Sequence, residues 1–320
     1  MDWKLKSTPQ KYSSQGLKNR QQLLPRGLGL GGSHQLNYLL HYVGNPHDFE
    51  GWSNESWNYE NLKPFLHRHG SVHDSDLPKL PIMSLKQSDS PLADAFMKSQ
   101  RELRKAFDAN VTFKLAQFTT RNGIRHSVFH EYLRRVYKQK NLQILIHSTA
   151  ERIEFNKNKE AISVIITTQS SPSQVARVNV RKEVILAAGA FHSPLILMRS
   201  GIGDNDGTIL KRGVNLIHRS PAVGRNLFDH MNLPLFVSIN TTASVTKDKI
   251  LSVREIYRYL VDGSGVFSTT AVIGSGRLND YGVILFGMGS ADEQALKDVA
   301  NFETEAFRAF FPLYANSSQE

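Results

Sequence analysis

The stretch Val184–Gly203, which reads VILAAGAFHSPLILMRSGIG, constrains the fold of this chain more than any other. Its apolar run Val184–Ala188 stops at Gly189 and predicts a buried strand. Ser193 and Pro194 favour the start of a helix, and the Gly-Ile-Gly at the end of the stretch favours its termination. Strand–glycine–helix turns bring backbone close to nucleotides in α/β proteins. On spacing alone, an ordinary strand–turn–helix without a ligand explains the pattern equally well.

The same stretch resembles the second signature of the glucose–methanol–choline (GMC) oxidoreductases. The matching positions are Gly189, the small residue Ala190, the pair Ser193-Pro194 and the run Ser200–Gly203. GMC enzymes are FAD-dependent dehydrogenases or oxidases of alcohols and sugars. The resemblance therefore implies FAD as the cofactor and a mixed α/β (α+β) fold.

A second glycine-rich segment, Gly27–Ser33, contains a formal G-x-G-x-x-G. The dinucleotide-binding fingerprint requires a buried strand before the first glycine, and Pro25 argues against one. We therefore reject a Rossmann reading of this segment. Gly31-Gly32-Ser33 instead resembles the first GMC signature, in which a glycine turn opens a helix that carries an asparagine, here Asn37. His34 stands where the family usually has serine or threonine.

The resemblance implies a set of FAD-contacting residues from both signatures and from one strand between them. They are Leu30, Gly31, Gly32, Ser33, Asn37, Tyr38, Leu39, Leu40, Ala150, Gly189 and Ala190. Ala150 is implied through its backbone, as a contact with the adenine. The family's histidine base lies in a C-terminal motif that none of the 12 histidines here matches, so no catalytic residue is predicted.

Periodicity and turn residues predict the order of helices and strands. Helices are expected at 91–107, where Ser90 caps and Pro91 begins the segment, at 127–138 and at 254–262. The predicted strands are 142–147, 152–155, 161–168, 175–180, 183–188, 235–239 and 281–286. This pattern predicts an antiparallel layer within an α/β domain.

The resemblance implies two interleaved domains. We expect the FAD-binding domain at 1–60 and 120–225 and the substrate-binding antiparallel sheet domain at 61–119 and 226–320. In the family, a βαβ unit that holds the ADP part of FAD precedes the region matched here, and the catalytic region follows it. We therefore expect an incomplete or inactive form in which Val184–Ala188 lacks sheet neighbours and flavin is lost on desalting.

Composition and charge limit the classes of molecule that this chain is expected to bind. The chain has no cysteine and a formal net charge of +10, with basic residues scattered rather than clustered. We therefore expect no nucleic-acid partner, although a basic nucleic-acid-binding protein remains a rival with steep salt dependence. His67, His69 and His73 with Asp74 and Asp76 are loosely spaced, so no metal site is predicted.

No apolar run approaches the length of a membrane helix, and the N-terminus has no apolar core of signal-peptide length, so we expect no membrane span. Localisation stays open, because family members are often secreted. The resemblance implies an alcohol or sugar substrate and a quinone-like or oxygen electron acceptor. The alternative is a non-catalytic remnant that binds a small molecule or a protein.

Overall fold

The computed structural model describes residues 2–52, 55–66, 80–87, 90–108, 110–168, 171–204, 212–235, 237, 239, 243–288, 294, 297 and 300–311. Their contacts divide the chain into a larger unit, Met1–Leu142 with Phe236–Glu320, and a smaller unit, Gln143–Leu235. These bounds differ from those of the predicted functional domains. Which segments bind cofactor and which bind substrate stays a prediction.

The strands and helices follow in chain order. The strands are β1 (Leu5–Lys6), β2 (Leu23–Leu24), β3 (Met83–Ser84), β4 (Val111–Leu115), β5 (Gln117–Phe118), β6 (Thr120–Arg121), β7 (Ile124–Arg125), β8 (Ser148–Phe155), β9 (Ala161–Thr168), β10 (Ser171–Asn179), β11 (Ile202–Gly203), β12 (His218–Arg219), β13 (Val272–Leu278) and β14 (Tyr281–Phe286). The α-helices are α1 (Tyr59–Leu66), α2 (Pro91–Phe107), α3 (Arg134–Val136), α4 (Gly189–Arg199), α5 (Lys247–Ile250), α6 (Val253–Asp262) and α7 (Thr304–Phe310).

The core of the larger unit lies between α2 and an antiparallel sheet of order β14-β13-β4. The Ser90 hydroxyl caps α2 by accepting hydrogen bonds from two backbone N–H groups of its first turn. The buried face of α2 places the Phe96 ring in a stacked contact with Phe113, with ring centroids 4.5 Å apart. Because burying aromatic surface is strongly favourable, this contact anchors the helix to the sheet.

A second apolar cluster joins this sheet to the residues that follow the glycine-rich segment Gly27–Ser33. Leu39 is buried with Ala116, Phe118 and Val272, and Val272 is the first residue of β13. The backbone of Leu40 also forms a bridge with Phe118. The segment that carries most of the predicted FAD contacts is therefore tied to the core of the larger unit.

The smaller unit is built on an antiparallel sheet of order β10-β9-β8, with α4 packed on β8. Ser200, which follows α4, accepts a 2.7 Å hydrogen bond from the backbone N–H of Ile153 and donates one to the carbonyl oxygen of Ile196. Ile153 and Ile196 are both buried. The C-terminal end of α4 is thus fixed to the middle of β8.

The predicted mixture of helices and antiparallel sheets is confirmed, and several elements form at their predicted bounds. They include α2, β9 and β14, while α6 begins one residue before its prediction. The predicted helix at 127–138 forms only a π-helical turn at Phe129–Leu133 followed by α3. The predicted strand at 235–239 falls partly outside the described residues, and those described there are not in a strand.

The predictions of strands at 142–147 and at 183–188 are wrong, because neither strand forms in the structure. Neither segment is in a strand, and the side chain of Ile185 is 80% exposed. A strand needs a neighbour to satisfy its backbone N–H and C=O groups, and no described strand pairs with either segment. The predicted helix also begins earlier than expected, at Gly189, so that Pro194 lies inside it and Ser193 accepts from the N–H of Ala188.

Two further findings concern metal sites and membrane-spanning helices. Within the ranges described above, no group of three or more metal-ligating side chains is arranged to hold a metal ion. The histidines and aspartates at 67–76 lie outside those ranges. Among the described helices, none has both the length and the apolar character needed to cross a membrane.

Candidate functional site

The glycine turn of the larger unit has a backbone that only glycine adopts readily. Gly29, Gly31 and Gly32 have φ values of 130°, 94° and 55°, and left-handed backbone costs other L-residues about 1–2 kcal/mol. The Gly32 N–H donates to the carbonyl oxygen of Gly29 at 3.0 Å, and the Ser33 hydroxyl accepts from the N–H of Gly27 at 3.2 Å. The turn therefore closes on itself.

The turn opens a short 3₁₀ helix, Gly32–Gln35, and not the longer helix expected to carry Asn37. The Asn37 side-chain carbonyl accepts from the N–H of Leu39 at 3.2 Å and from the Arg125 guanidinium at 2.9 Å. Leu39 has a φ of 64°, which ends helical backbone. Asn37 thus stabilises the bend that follows the 3₁₀ helix.

Of the predicted contacts in this segment, Tyr38 is exposed and Leu39 is buried. The Tyr38 ring meets the edge of Phe286 at 6.4 Å between centroids. The Leu39 carbonyl oxygen accepts from the backbone N–H of Thr119 at 2.9 Å. The structure therefore brings together Leu30, Gly31, Gly32, Ser33, Asn37, Tyr38, Leu39 and Leu40 on one continuous segment, with Leu39 facing the core.

A buried polar cluster braces this segment from the region 119–135. Its centre is Glu131, whose side chain is 1% exposed and pairs with Arg121 at 3.0 Å and, more closely, with His126 and Arg135. Next to it, the Ser127 hydroxyl accepts a 3.0 Å hydrogen bond from the Gln35 side chain. The cluster thus joins the 3₁₀ helix to residues about ninety positions further along.

Burial and charge shift the pKa values of this cluster. Burial raises the pKa of Glu131, but hydrogen bonds from Arg135 and His126 outweigh it and hold that pKa below its ordinary value. Burial lowers the pKa of His34, and the nearby Arg125 adds to the effect. Burial also lowers the pKa of His126 and outweighs the attraction of Glu131. The cluster therefore favours an ionised Glu131 with neutral His34 and His126.

Sequence reasoning missed this bracing cluster. Its bonds join residues far apart in the chain, as His34 to Thr119 and Asn37 to Arg125 show. The signal that could have found it was the pair His126 and His130 with Glu131, a polar group at helical spacing within an otherwise ordinary amphipathic segment.

The predicted contacts of the smaller unit lie on two elements, Gly189 and Ala190 on α4 and Ala150 on β8. Gly189, with a φ of 82°, and Ala190 form the N-terminal end and are exposed. Ala150 precedes Glu151, which pairs with Arg199 at the C-terminal end of the helix. Because α4 has 11 residues, the two ends are about 15 Å apart. The structure places these residues in a different unit from the first set.

The chain is similar in sequence to known proteins over most of its length. Residues 10–232 match the family model described as GMC oxidoreductase. "Neither inactivation nor afterpotential protein G" of Drosophila melanogaster is 34% identical, over 100% of this chain and 53% of its own length. "Glucose dehydrogenase [FAD, quinone]" of the same organism is 29% identical, over 85% and 46%.

A solved structure shows the same fold. The crystal structure of formate oxidase superposes with a TM-score of 0.70 at 22% identity, over 86% of this chain and 51% of that chain. The chain therefore belongs to the GMC oxidoreductase family, as its two signatures predict. It spans about half the length of the curated relatives it matches.

Proposed function

We propose that this chain carries the FAD-contacting residues of an oxidoreductase that acts on CH–OH groups of alcohols or sugars. The observation that carries the proposal is the family match over 10–232, which includes both glycine turns. Gly31, Gly32 and Gly189 all adopt left-handed backbone in the structure. Two signature turns of one flavoprotein family therefore keep the glycine conformations that close contact with a cofactor requires.

The glycine turn of the larger unit fits a phosphate-bearing cofactor. A β-carbon added at Gly29 or Gly32 would meet no atom within 4 Å, so the turn is open on those sides. Open glycine turns allow a phosphate to approach backbone N–H groups closely. We propose that Leu30, Gly31, Gly32 and Ser33 contact the diphosphate of FAD.

Asn37 and the residues after it would then contact the rest of the cofactor. The Asn37 side-chain oxygen is occupied by Leu39 and Arg125, which leaves its NH₂ group as a donor. Tyr38 is exposed beside this amide, whereas Leu39 and Leu40 fix the segment to the core. We propose that Asn37 and Tyr38 make direct contacts and that the leucines contribute mainly backbone.

In the smaller unit, Gly189 and Ala190 offer the exposed N-terminal end of α4. A β-carbon added at Gly189 would also meet no atom within 4 Å. The N-terminus of a helix of this length favours a negatively charged group. We propose that these two residues and the backbone of Ala150 complete the set of contacts.

When bound, FAD supplies the group that accepts hydride from the substrate. The residues of this chain hold and orient the cofactor, and no residue is assigned here as the base. For the electron acceptor we propose a quinone-like molecule, because the relative named glucose dehydrogenase carries that word in its name. Oxygen is the second acceptor that the family resemblance implies.

The alternative function is a non-catalytic module that binds a small molecule or a protein. It is favoured by Val184–Ala188, which leads into Gly189 without forming a strand and leaves Ile185 exposed. Reduction of an artificial dye by an alcohol or sugar in the presence of FAD separates the two functions. Substrate-dependent dye reduction supports the oxidoreductase, and FAD binding without reduction supports the module.

An equilibrium titration of FAD tests the proposal, because it detects binding that desalting would strip. We expect flavin fluorescence to change saturably as protein is added. In Gly32→Ala, whose new methyl group enters the open side of the turn, we expect binding to weaken about tenfold. The matched control is Gly282→Ala in β14, which also meets open space but lies outside both turns. Equal affinity in all three proteins would contradict the assignment of the turn.

A further inference from the structure

The ring of His34 is held by two hydrogen bonds that require it to be neutral. Its Nδ1 accepts from the backbone N–H of Val128 at 3.3 Å. Its Nε2 lies 2.9 Å from the Thr119 hydroxyl oxygen, and that hydroxyl donates to the carbonyl oxygen of Leu39 at 3.2 Å. Because the hydroxyl proton is directed to Leu39, Nε2 must carry the imidazole proton.

The ring of His130 is constrained in the same way. Its Nδ1 accepts from the backbone N–H of Ser127 at 3.2 Å and lies 3.0 Å from the Ser127 hydroxyl oxygen. The same hydroxyl accepts from Gln35 in the 3₁₀ helix. A proton on Nδ1 would turn this acceptor into a donor that faces another donor. Both rings therefore hold the segment only while Nδ1 is unprotonated.

Arginine and histidine side chains lie close to the two rings. Arg125 faces His34 and donates to its carbonyl oxygen, and the ring of His126 lies 5.1 Å from that of His130. In this cluster the nearby carboxylate is Glu131, which is already paired with Arg121, His126 and Arg135. A proton added to either ring would therefore place a further positive charge close to side chains that are already cationic.

We propose that His34 and His130 are positioning residues that hold the segment Gly31–Leu39 in its flavin-contacting geometry only while both rings are neutral. The proposal rests on the proposed function, in which this segment contacts FAD. Protonation at Nδ1 removes the acceptor of the Val128 and Ser127 N–H groups, so the bond between His34 and Val128 and the bond that positions Ser127 beside Gln35 are both lost. The segment then loosens as the pH falls.

The direction of the pH dependence follows from His34. Because its pKa in the folded chain lies below the ordinary value, the unfolded chain binds this proton first. The stabilisation is therefore complete above about pH 6.5, the ordinary histidine pKa, and decreases as the pH falls below that value. The segment should be ordered at pH 7.5 and looser at pH 5.

Hydrogen exchange of the chain without FAD tests the proposal, with exchange times scaled for the intrinsic effect of pH. We expect protection of peptides covering 29–41 and 119–131 to fall by up to about tenfold between pH 7.5 and pH 5, the effect of losing one hydrogen bond. Peptides from α2, which contains no histidine, serve as the internal reference and should change far less. Equal changes in all peptides, or no change, would overturn the proposal.

Variants separate the titration from ordinary packing. In the double variant His34→Asn/His130→Asn, each amide oxygen replaces Nδ1 as acceptor but takes up no proton. We expect this variant to keep its protection from pH 7.5 to pH 5, whereas His130→Ala should lose protection at both. His47→Asn, which changes an exposed histidine of the same unit, is the matched control and should behave as the unmodified chain. A double variant as pH-sensitive as the unmodified chain would overturn the proposal.

A second measurement covers the case in which the variants fail to fold. Imidazole ¹⁵N spectra of the unmodified chain at pH 7.5 should show His34 and His130 as neutral rings protonated at Nε2. Protonation at Nδ1 in either ring would overturn the proposal. Both the hydrogen exchange and the imidazole spectra are measured without FAD. If protection depends on pH in a chain that binds no FAD, the positioning role of the two histidines is supported and the proposed function is contradicted.

Discussion

The two glycine turns match their family signatures in sequence, yet the structure supports them very differently. Gly31 lies in a turn whose following residues bond to Thr119, Arg125 and Ser127. Gly189 follows a segment that forms no strand, and both it and Ala190 are exposed. A signature motif therefore sets the backbone conformation of a turn, while the elements packed beneath it set its rigidity.

The difference has a physical origin in the partners of each turn. The first turn is joined through Gln35 to Ser127, whose backbone carbonyl accepts from the N–H of the buried Glu131, and through Leu39 to an apolar cluster. Side-chain hydrogen-bond networks of this kind constrain the backbone to which they bond. The second turn is fixed through the far end of α4, where Ser200 bonds to Ile153. We therefore expect substitutions at the first turn to affect stability more.

The largest effect is expected from Glu131→Ala, which removes the centre of the bracing cluster. The buried carboxylate bonds to Arg121, His126 and Arg135, and both arginines are half exposed. Because the variant loses these charged hydrogen bonds without leaving a buried charge, the free energy of unfolding of the larger unit should fall by about 3 kcal/mol. Urea denaturation measures the change. Glu60→Ala, which removes an exposed carboxylate paired with Lys63, is the control and should have little effect. Similar midpoints for both variants would show that the cluster does not brace the turn.

An intermediate effect is expected from Gly31→Ala. Alanine at a φ of 94° is strained, and its β-carbon would lie 2.9 Å from the Gln35 amide nitrogen and 3.1 Å from the Ser127 hydroxyl. We expect a loss of about 2 kcal/mol in the same denaturation experiment. Gly282→Ala is the control. An unchanged stability of Gly31→Ala would mean that this turn relaxes freely and is no more constrained than the turn at Gly189.

The smallest effect is expected from Gly189→Ala. Its φ of 82° also strains alanine, but no atom lies within 4 Å of the new methyl group and the turn is exposed. The loss in stability should be about 1 kcal/mol, roughly half of that at Gly31. Thermal unfolding of the two variants side by side measures the ratio. A larger loss at Gly189 than at Gly31 would reverse the comparison.

Local signals in the sequence predicted much of the fold. The bounds of α2 follow from Ser90 and Pro91 together with its apolar period, and β9 and β14 follow from alternation between turn residues. Each of these elements forms where its local sequence signals predict it, and each packs against another element of the same unit. The strand at 183–188 has an equally clear apolar run, but its formation depends on a partner strand that composition cannot reveal.

Only those residues of the candidate site that belong to the matched family motifs could be predicted from the sequence. Family resemblance singled out Gly31, Asn37 and Gly189, but neither resemblance nor periodicity indicated that His34 turns towards Thr119 and Val128. Those bonds span about ninety residues, and their geometry depends on a π-helical turn that no single-residue preference encodes. The bracing of the site therefore required the structure.

The most direct test of this account is hydrogen exchange of the chain at pH 7.5 with and without saturating FAD. We expect added protection in peptides covering 29–41 and 184–192, because we propose that both glycine turns contact the cofactor. The increase should be greater at 184–192, whose turn is less constrained in the free chain. Protection confined to other segments, or to neither turn at an FAD concentration that saturates binding, would contradict the assignment.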